Sequence, residues 1–441
     1  MTREVTDKLA TISGFSVKSS TVAKTAVRDL KDDLRAIGER LGVSSLLEGE
    51  VRHAGSRMRI NVRLVNADSG TQQWSEQYDV DFKDVFAIQD SIARAIAGAL
   101  RVSLGSGDKA KLARVATTNP EAHALYLKGL HQWNRRVYQN IQQAISLFEQ
   151  AIAKDPNYAQ AHAGLALAYG VISNYADVDN GAMIAAAENA ARQALALDST
   201  SVEAHTALGW AHLNRFRNAN AERELRLAIA LDSSFATAHQ WLGILLQRGR
   251  RFDEAIAEGR KALALDPTSG VIYSSLNATL NSAHRFDEAD SVNRQQRDFL
   301  PNYANGYRNQ ALTALGRHRA KEAVEAATKY LALTGSRPSL GLGLLGVAHA
   351  ANGQRAEAEA LLQELLDRSS REPVAAQGIA ILYDALGDRT RALDWLDRAI
   401  SQHDPLHNWA RQAVFDGLRA DPRGAALFAS TESWSDSTRI R

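Results

Sequence analysis

The sequence predicts a mainly α chain: an amino-terminal α/β domain followed by a solenoid of about eight stacked helix pairs. Three observations predict it. Alanines recur at Ala187, Ala221, Ala255, Ala289 and Ala323, each 34 residues from the last, and continue at Ala358 and Ala392. In register with them stand Leu208-Gly209, Leu242-Gly243 and Leu276-Asn277 upstream, and turn pairs such as Asp155-Pro156, Asp198-Ser199, Asp266-Pro267 and Leu300-Pro301 downstream. Before Leu104 the period vanishes and strand-like alternation takes its place.

Taken in order, Val5 to Ile12 reads as helical, Phe15 to Ser19 as extended and Asp33 to Leu41 as helical again. Ser45 to Arg52 and Met58 to Val65 read as strands around an Ala54-Gly55-Ser56 turn. In the second, Met58, Ile60, Val62 and Leu64 alternate with Arg57, Arg59, Asn61 and Arg63, the pattern of a half-buried antiparallel strand. Asp68-Ser69-Gly70 turns the chain into a third strand, Gln73 to Val80. Asp84 to Leu100 then presents Phe86, Ile88, Ile92, Ile96 and Leu100 mostly to one side of a helix. Gly105-Ser106-Gly107-Asp108 marks a boundary, so the expected partition is 1–104, a linker 105–119, a solenoid 120–404 and a capping helix with tail 405–441.

Within the solenoid each unit reads as two amphipathic helices joined by a short turn, with a Pro- or Ser-marked turn after them. The glycine of the first helix and the alanine of the second are small because two backbones approach closely there. Gly249, Gly316, Gly353 and Gly387 fall near the break between paired helices, where a left-handed residue is expected. No single pair buries its apolar face alone, so neighbours must stack. Nine extra residues around Asn174 to Gly181 displace Ala144 from the series, and His407 to Phe428 reads as a helix covering the last apolar face.

The repeated unit resembles the tetratricopeptide repeat, best in His239…Leu242-Gly243…Leu246…Ala255…Ala262…Pro267. That resemblance implies a right-handed α-solenoid that binds protein or peptide partners in its concave groove. The aromatic position of the repeat is often histidine here, at His162, His205 and His239. Upstream, Ile37-Gly38…Leu41-Gly42-Val43…Leu47-Glu48-Gly49, then Arg59-Ile60…Trp74…Tyr78-Asp79…Phe86…Gln89-Asp90, is similar to the TolB-like amino-terminal domain. In bacteria such a domain commonly precedes these repeats behind an effector: a class III nucleotidyl cyclase, a winged-helix domain or a kinase. The closing Leu418-Arg419…Asp421-Pro422-Arg423 resembles the tail of such proteins. The family begins with an apolar strand, whereas Met1 starts almost at the first helix, so the chain reads as the back half of a longer regulator.

Composition narrows the functions. A formal net charge of +2 in 441 residues points to no nucleic-acid partner, and the absence of cysteine excludes disulfides, zinc thiolates and cysteine nucleophiles. The most apolar stretch, Leu340 to Ala351, is too short for a bilayer span of about 20 residues. No signal-peptide core follows Met1, which places the chain in the cytoplasm, or in the periplasm behind a membrane-anchored upstream region.

The search for chemistry yields weak signals. Gly341-Leu342-Gly343-Leu344-Leu345-Gly346 matches G-x-G-x-x-G, but inside a helix of the seventh repeat rather than after a strand. His162, His205 and His239 form a ladder whose rungs are too far apart to share a metal ion, which favours packed structural histidines. Arg57, Arg59 and Arg63, with Arg52, make a basic stripe that reads as a solvated sheet face. Walker, H-E-x-x-H and G-x-S-x-G motifs are absent. The expectation is therefore a non-enzyme without metal or cofactor, either a protein-binding scaffold or the sensory tail of a larger signalling protein. Its partner groove is expected to be lined by Thr206, Trp210, Asn214, Gln240, Ile244, Gln247, Arg248, Ser274, Asn281 and Arg308. These mix polar and apolar types and lack the Lys/Asn carboxylate clamp of some relatives.

Overall fold

The computed structural model describes residues 33–54, 57–81, 117–335, 337–402 and 412–432, with scattered positions among 27–30, 92–100 and at 404. The expected elements at 5–19, most of 84–100 and the 105–108 boundary lie outside the described residues. The chain divides into an amino-terminal unit ending near His123 and a larger unit beginning at Ala124.

In the amino-terminal unit, helix α1 (Leu34–Leu41) starts where Asp33 Oδ1 accepts the Ala36 amide at 3.0 Å. It stops at Gly42, left-handed with φ +62°. Strands β1 (Ser45–Ala54), β2 (Arg57–Asn66) and β3 (Gln72–Asp81) follow as an antiparallel sheet with β2 in the centre. Met58, Ile60, Val62 and Leu64 are buried, while Arg57, Arg59 and Arg63 are exposed, as the alternation predicts. The arginines meet acids on neighbouring strands. Arg59 sits opposite Asp79 and pairs with it at 2.7 Å, and Arg63 pairs with Glu48 in register. The stripe is thus balanced by its own sheet. Both pairs are exposed and add little stability.

Among the described residues the larger unit holds eight helix pairs: α2 (Pro120–Asn134) with α3 (Tyr138–Lys154), α4 (Ala159–Val171) with α5 (Asn180–Leu197), α6 (Val202–Asn214) with α7 (Asn218–Leu231), and α8 (Ala236–Arg248) with α9 (Phe252–Leu265). The series continues with α10 (Gly270–Ser282) and α11 (Phe286–Phe299), α12 (Ala304–Gly316) and α13 (Ala320–Thr334), α14 (Ser339–Ala351) and α15 (Arg355–Ser369), and α16 (Ala376–Ala385) and α17 (Arg389–Ser401). The alanines of the ladder are fully buried, because each lies where the second helix of a pair touches the first. Gly243 shows the closeness: a Cβ there would stand 3.1 Å from the Ala255 carbonyl oxygen of α9. One repeat on, Asn277 fills the equivalent place and donates to the Ala289 carbonyl at 2.7 Å.

The break between paired helices is also periodic, but glycine does not mark it throughout. Gly353 and Gly387 are left-handed as expected, whereas at earlier breaks the left-handed residue is Arg136, Phe216, Arg250, His284 or His318. Gly249 and Gly316 keep negative φ, and the residue one or two places later turns instead. The turn closes with a six-to-one hydrogen bond, such as Arg251 N to Leu246 O at 2.9 Å and Arg285 N to Leu280 O at 2.8 Å. Those bonds hold a side-chain-bearing residue in a conformation that costs about 1–2 kcal/mol.

The run Gly341 to Gly346 lies inside α14. A Cβ on Gly343 would strike the Gly378 backbone of α16, and one on Gly346 would meet Leu382 at 2.7 Å. These glycines let α14 and α16 touch, which is a packing role. At the carboxyl end, one helix was expected over His407 to Phe428. The described part of that stretch is a 3-10 turn (Ala413–Phe415), α18 (Asp416–Ala420) and α19 (Pro422–Glu432). Pro422 cannot continue α18, and Asp421 Oδ1 accepts the Arg423 amide at 2.8 Å to start the next helix. Phe415, Leu418 and Phe428 are buried in one cluster with Leu312, Leu344 and Leu396.

Candidate functional site

The first helix of each pair faces the inside of the solenoid, and all the sequence-predicted groove residues lie on those helices. All of them except half-buried Arg308 are buried. Their polar groups are bonded largely to neighbouring pairs. Trp210 Nε1 donates to the Gly170 carbonyl of α4 at 2.6 Å, and its ring stacks on Trp241 of α8 with centroids 4.4 Å apart. Thr206 donates to Val202 O at 2.7 Å, and Asn214 to Trp210 O at 2.9 Å. Gln240 donates to Val271 O at 3.1 Å, Gln247 to Ser282 Oγ at 2.8 Å, and Asn281 to Thr313 Oγ1 at 2.9 Å. Arg248 reaches the Leu213 carbonyl at 2.6 Å, and Ser274 Oγ accepts from Gln296 at 3.2 Å.

Two pieces of the chain itself cover this inner face. The carboxyl-terminal segment lies on the ends of the first helices: Gln412 Nε2 donates to Ala278 O and Ser282 Oγ at 2.8 and 2.9 Å. Asn218, itself bonded to Arg248, donates to Thr431 O at 3.0 Å. The extra residues between α4 and α5 span from the second pair to the seventh. There Asp177 accepts Ser339 Oγ at 2.6 Å, Ser339 N at 3.1 Å and Arg368 Nη2 at 3.0 Å.

Between these two covers a cavity of about 550 Å³ remains. Trp210, Gln240, Ile244, Ser274 and Arg308 line it, while Thr206, Asn214, Gln247, Arg248 and Asn281 do not. The structure adds residues that sequence reasoning missed: Arg136, Tyr175, Tyr303 and Tyr330. Burial pushes all three tyrosine hydroxyls up, so they keep their protons near neutral pH. The nearby Arg136 and Arg308 guanidinium groups oppose that rise at Tyr175, and Arg308 opposes it at Tyr330. The nine-residue insertion was the available signal for Tyr175 and Asp177. The others sit in turns or second helices, outside any first-helix pattern.

The histidine ladder is explained by pairing within each unit. His205 Nδ1 meets Glu224 Oε2 at 2.8 Å, and His239 Nδ1 meets Glu258 Oε2 at 2.5 Å. His162 Nε2 meets the Pro156 carbonyl at 3.0 Å. Glu224 and Glu258 are themselves 34 residues apart, a correlation readable in the sequence. The bond to Glu224 holds His205 above its usual value and, reciprocally, His205 holds Glu224 below its own. Among the described residues no cluster of three or more His, Asp or Glu could hold a metal ion, and no helix is long and apolar enough to cross a membrane.

The fold is a solenoid of the tetratricopeptide-repeat kind, a class typical of protein–protein interaction scaffolds. The tetratricopeptide repeat family matches residues 139–177, 207–270 and 344–407. Over 214 residues, 48% of this chain, the sequence is 29% identical to "Putative adenylate cyclase 3" of Rhizobium meliloti (strain 1021). The aligned part is 36% of that protein, so the match spans about a third of its length. Similar solved structures include the APC/C assembly Cut9-Hcn1, 13% identical with TM-score 0.48 over 80% of this chain and 60% of that one. Yeast Tom70 is 17% identical with TM-score 0.43 over 70% and 67%. A thermophilic tetratricopeptide-repeat protein of Thermus thermophilus is 20% identical with TM-score 0.38 over 44% and 99%.

Proposed function

We propose that this chain is a protein-binding regulatory module of a bacterial signalling protein, with a TolB-like amino-terminal domain of about residues 1–104 and a solenoid over 120–404. The observation that carries the reading is the inner face itself: side chains from successive helix pairs converge on one cavity, while the glycine run serves helix packing and the histidines are hydrogen-bonded within the solenoid. A partner segment enters at the side chains that line the cavity, Gln240, Ile244, Ser274 and Arg308. Trp210 lines the cavity with its ring while its Nε1 is bonded to the backbone of a neighbouring pair, and Arg248, bonded likewise, stays outside the lining. The partial match to the Rhizobium meliloti protein favours a more particular version, in which this chain is the sensory part behind a nucleotidyl cyclase effector; a winged-helix effector is the other form of the same proposal. The tagged chain is tested for recovery of partner or effector segments, wild type against a Gln240→Glu, Arg308→Glu double variant of unchanged helicity. Loss of recovery places the partner on the inner face, and equal recovery moves it elsewhere.

A further inference from the structure

The cavity has a composition that a partner-binding surface does not require. Five arginines line it against two carboxylates, Asp177 and Glu372. Arg368 answers both carboxylates, at 3.0 and 2.6 Å, and Arg337 is held by Glu364 at 2.6 Å. By formal charge, five arginines against Asp177 and Glu372 give the lining a surplus of positive charge. Concentrating like charges around a half-enclosed space costs free energy that an entering anion recovers.

We infer that this cavity is a binding site for a small organic anion, a planar ring carrying phosphate or carboxylate groups. The inference goes beyond the partner-binding reading and does not depend on it.

Four features of the lining select that chemistry. The volume of about 550 Å³ lies within the range of small-molecule pockets, roughly 300–1,000 Å³. Arginine guanidinium groups present paired donors that match carboxylate and phosphate oxygens. Tyr175 and Tyr330 put hydroxyl groups on the lining that can donate to an anion; Ser173 Oγ, also on the lining, has no partner among the described residues. The stacked Trp210 and Trp241 supply the apolar wall on which a ring would lie.

Enclosure sets the size of the occupant. The Asp177 bridge ties the second pair to the seventh on one side, and the Gln412–Thr431 segment occupies the inner face on the other. A polypeptide running the length of the groove would have to displace one of them, whereas a compact anion, or a short segment that ends in the cavity, would not.

The test is a titration of the purified full chain with anilinonaphthalene sulfonate, a planar anion, read by energy transfer from tryptophan to the probe. Phenylnaphthylamine, which keeps the rings and lacks the sulfonate, is the neutral control. Phenyl phosphate and benzoate compete in separate arms to distinguish a phosphate from a carboxylate ligand. Saturable one-to-one binding is expected, weakened about tenfold in Arg308→Gln, the loss of one charge-assisted hydrogen bond. Arg136→Gln carries the same test should Arg308→Gln lose its helicity. Equal binding of the neutral control, or unchanged binding in a folded arginine variant, overturns the inference. Binding of a poly-glutamate peptide with no binding of the small anions overturns it as well.

Discussion

Gly243 offers the sharpest check on why the repeat has its sequence. An added Cβ would lie 3.1 Å from the Ala255 carbonyl oxygen, a few tenths of an ångström inside ordinary contact. Gly243→Ala therefore carries a small clash, offset by the helix preference of alanine over glycine, about 1 kcal/mol. In agreement, Ala311 occupies the equivalent place in α12 and is fully buried. Gly243→Leu adds three carbons beyond that Cβ, against backbone that cannot move without moving α9, and overpacking of this kind costs about 1–3 kcal/mol. Gly243→Asn is similar in size but can donate to the Ala255 carbonyl, as Asn277 does to Ala289. The expected order of thermal midpoints is wild type about equal to Gly243→Ala, Gly243→Asn close behind, and Gly243→Leu lowest. Each kcal/mol moves the midpoint of a unit this large by about 2–4 °C. Circular dichroism melts measure it. An unchanged midpoint for Gly243→Leu, or equal losses for Gly243→Leu and Gly243→Asn, refutes the close-contact argument.

Three further outcomes follow from the same contacts. His205 is raised above its usual 6.5, so its contribution is complete below that pH and lost as pH rises through the folded value. Glu224 is lowered below 4.5, so its contribution is complete above that pH and lost as pH falls through its folded value. The midpoint deficit of His205→Gln, about 1–3 kcal/mol, is therefore largest between pH 4.5 and 6.5 and shrinks as pH rises through the folded value of His205; a deficit independent of pH contradicts the ion pair. Burial pushes buried Asp404 up to about 7, so the folded state holds its proton longer than the unfolded chain and stability falls as pH rises from 3.8 toward 7. Melts of Asp404→Asn across that range should lack this part of the wild-type slope, and parallel slopes would refute the assignment. Asp177→Ala removes three hydrogen bonds to the seventh pair, and amide exchange at the start of α14 should accelerate while that of α6 and α8 stays unchanged.

How much of this was legible follows from the range of the interactions concerned. The strands and α1 were placed to within a residue or two, because alternation in β2 and the Asp33 and Gly42 caps act locally. The histidine clamps were half legible: the ladder was seen, and the glutamates that complete it share its period. The left-handed breaks were legible at Gly353 and Gly387 but not at Arg250 or His284, where hydrogen bonding imposes the conformation on a residue that does not prefer it. The groove was the least legible part. Helical periodicity identifies the inward face of a first helix, and all ten groove residues lie on first helices. It carries no information about what else arrives at that face.

The amino-acid sequence by itself thus determined the repeat, its period and the small residues that let backbones touch, because those interactions join neighbours no more than one repeat apart. Only the tertiary structure decided which part of the inner face stays open. Asp177 meets Ser339 and Arg368 across more than 160 residues, and Gln412 meets Ala278 across 134. Those contacts depend on how far a small rotation per repeat accumulates over five pairs, a sum that no local pattern encodes.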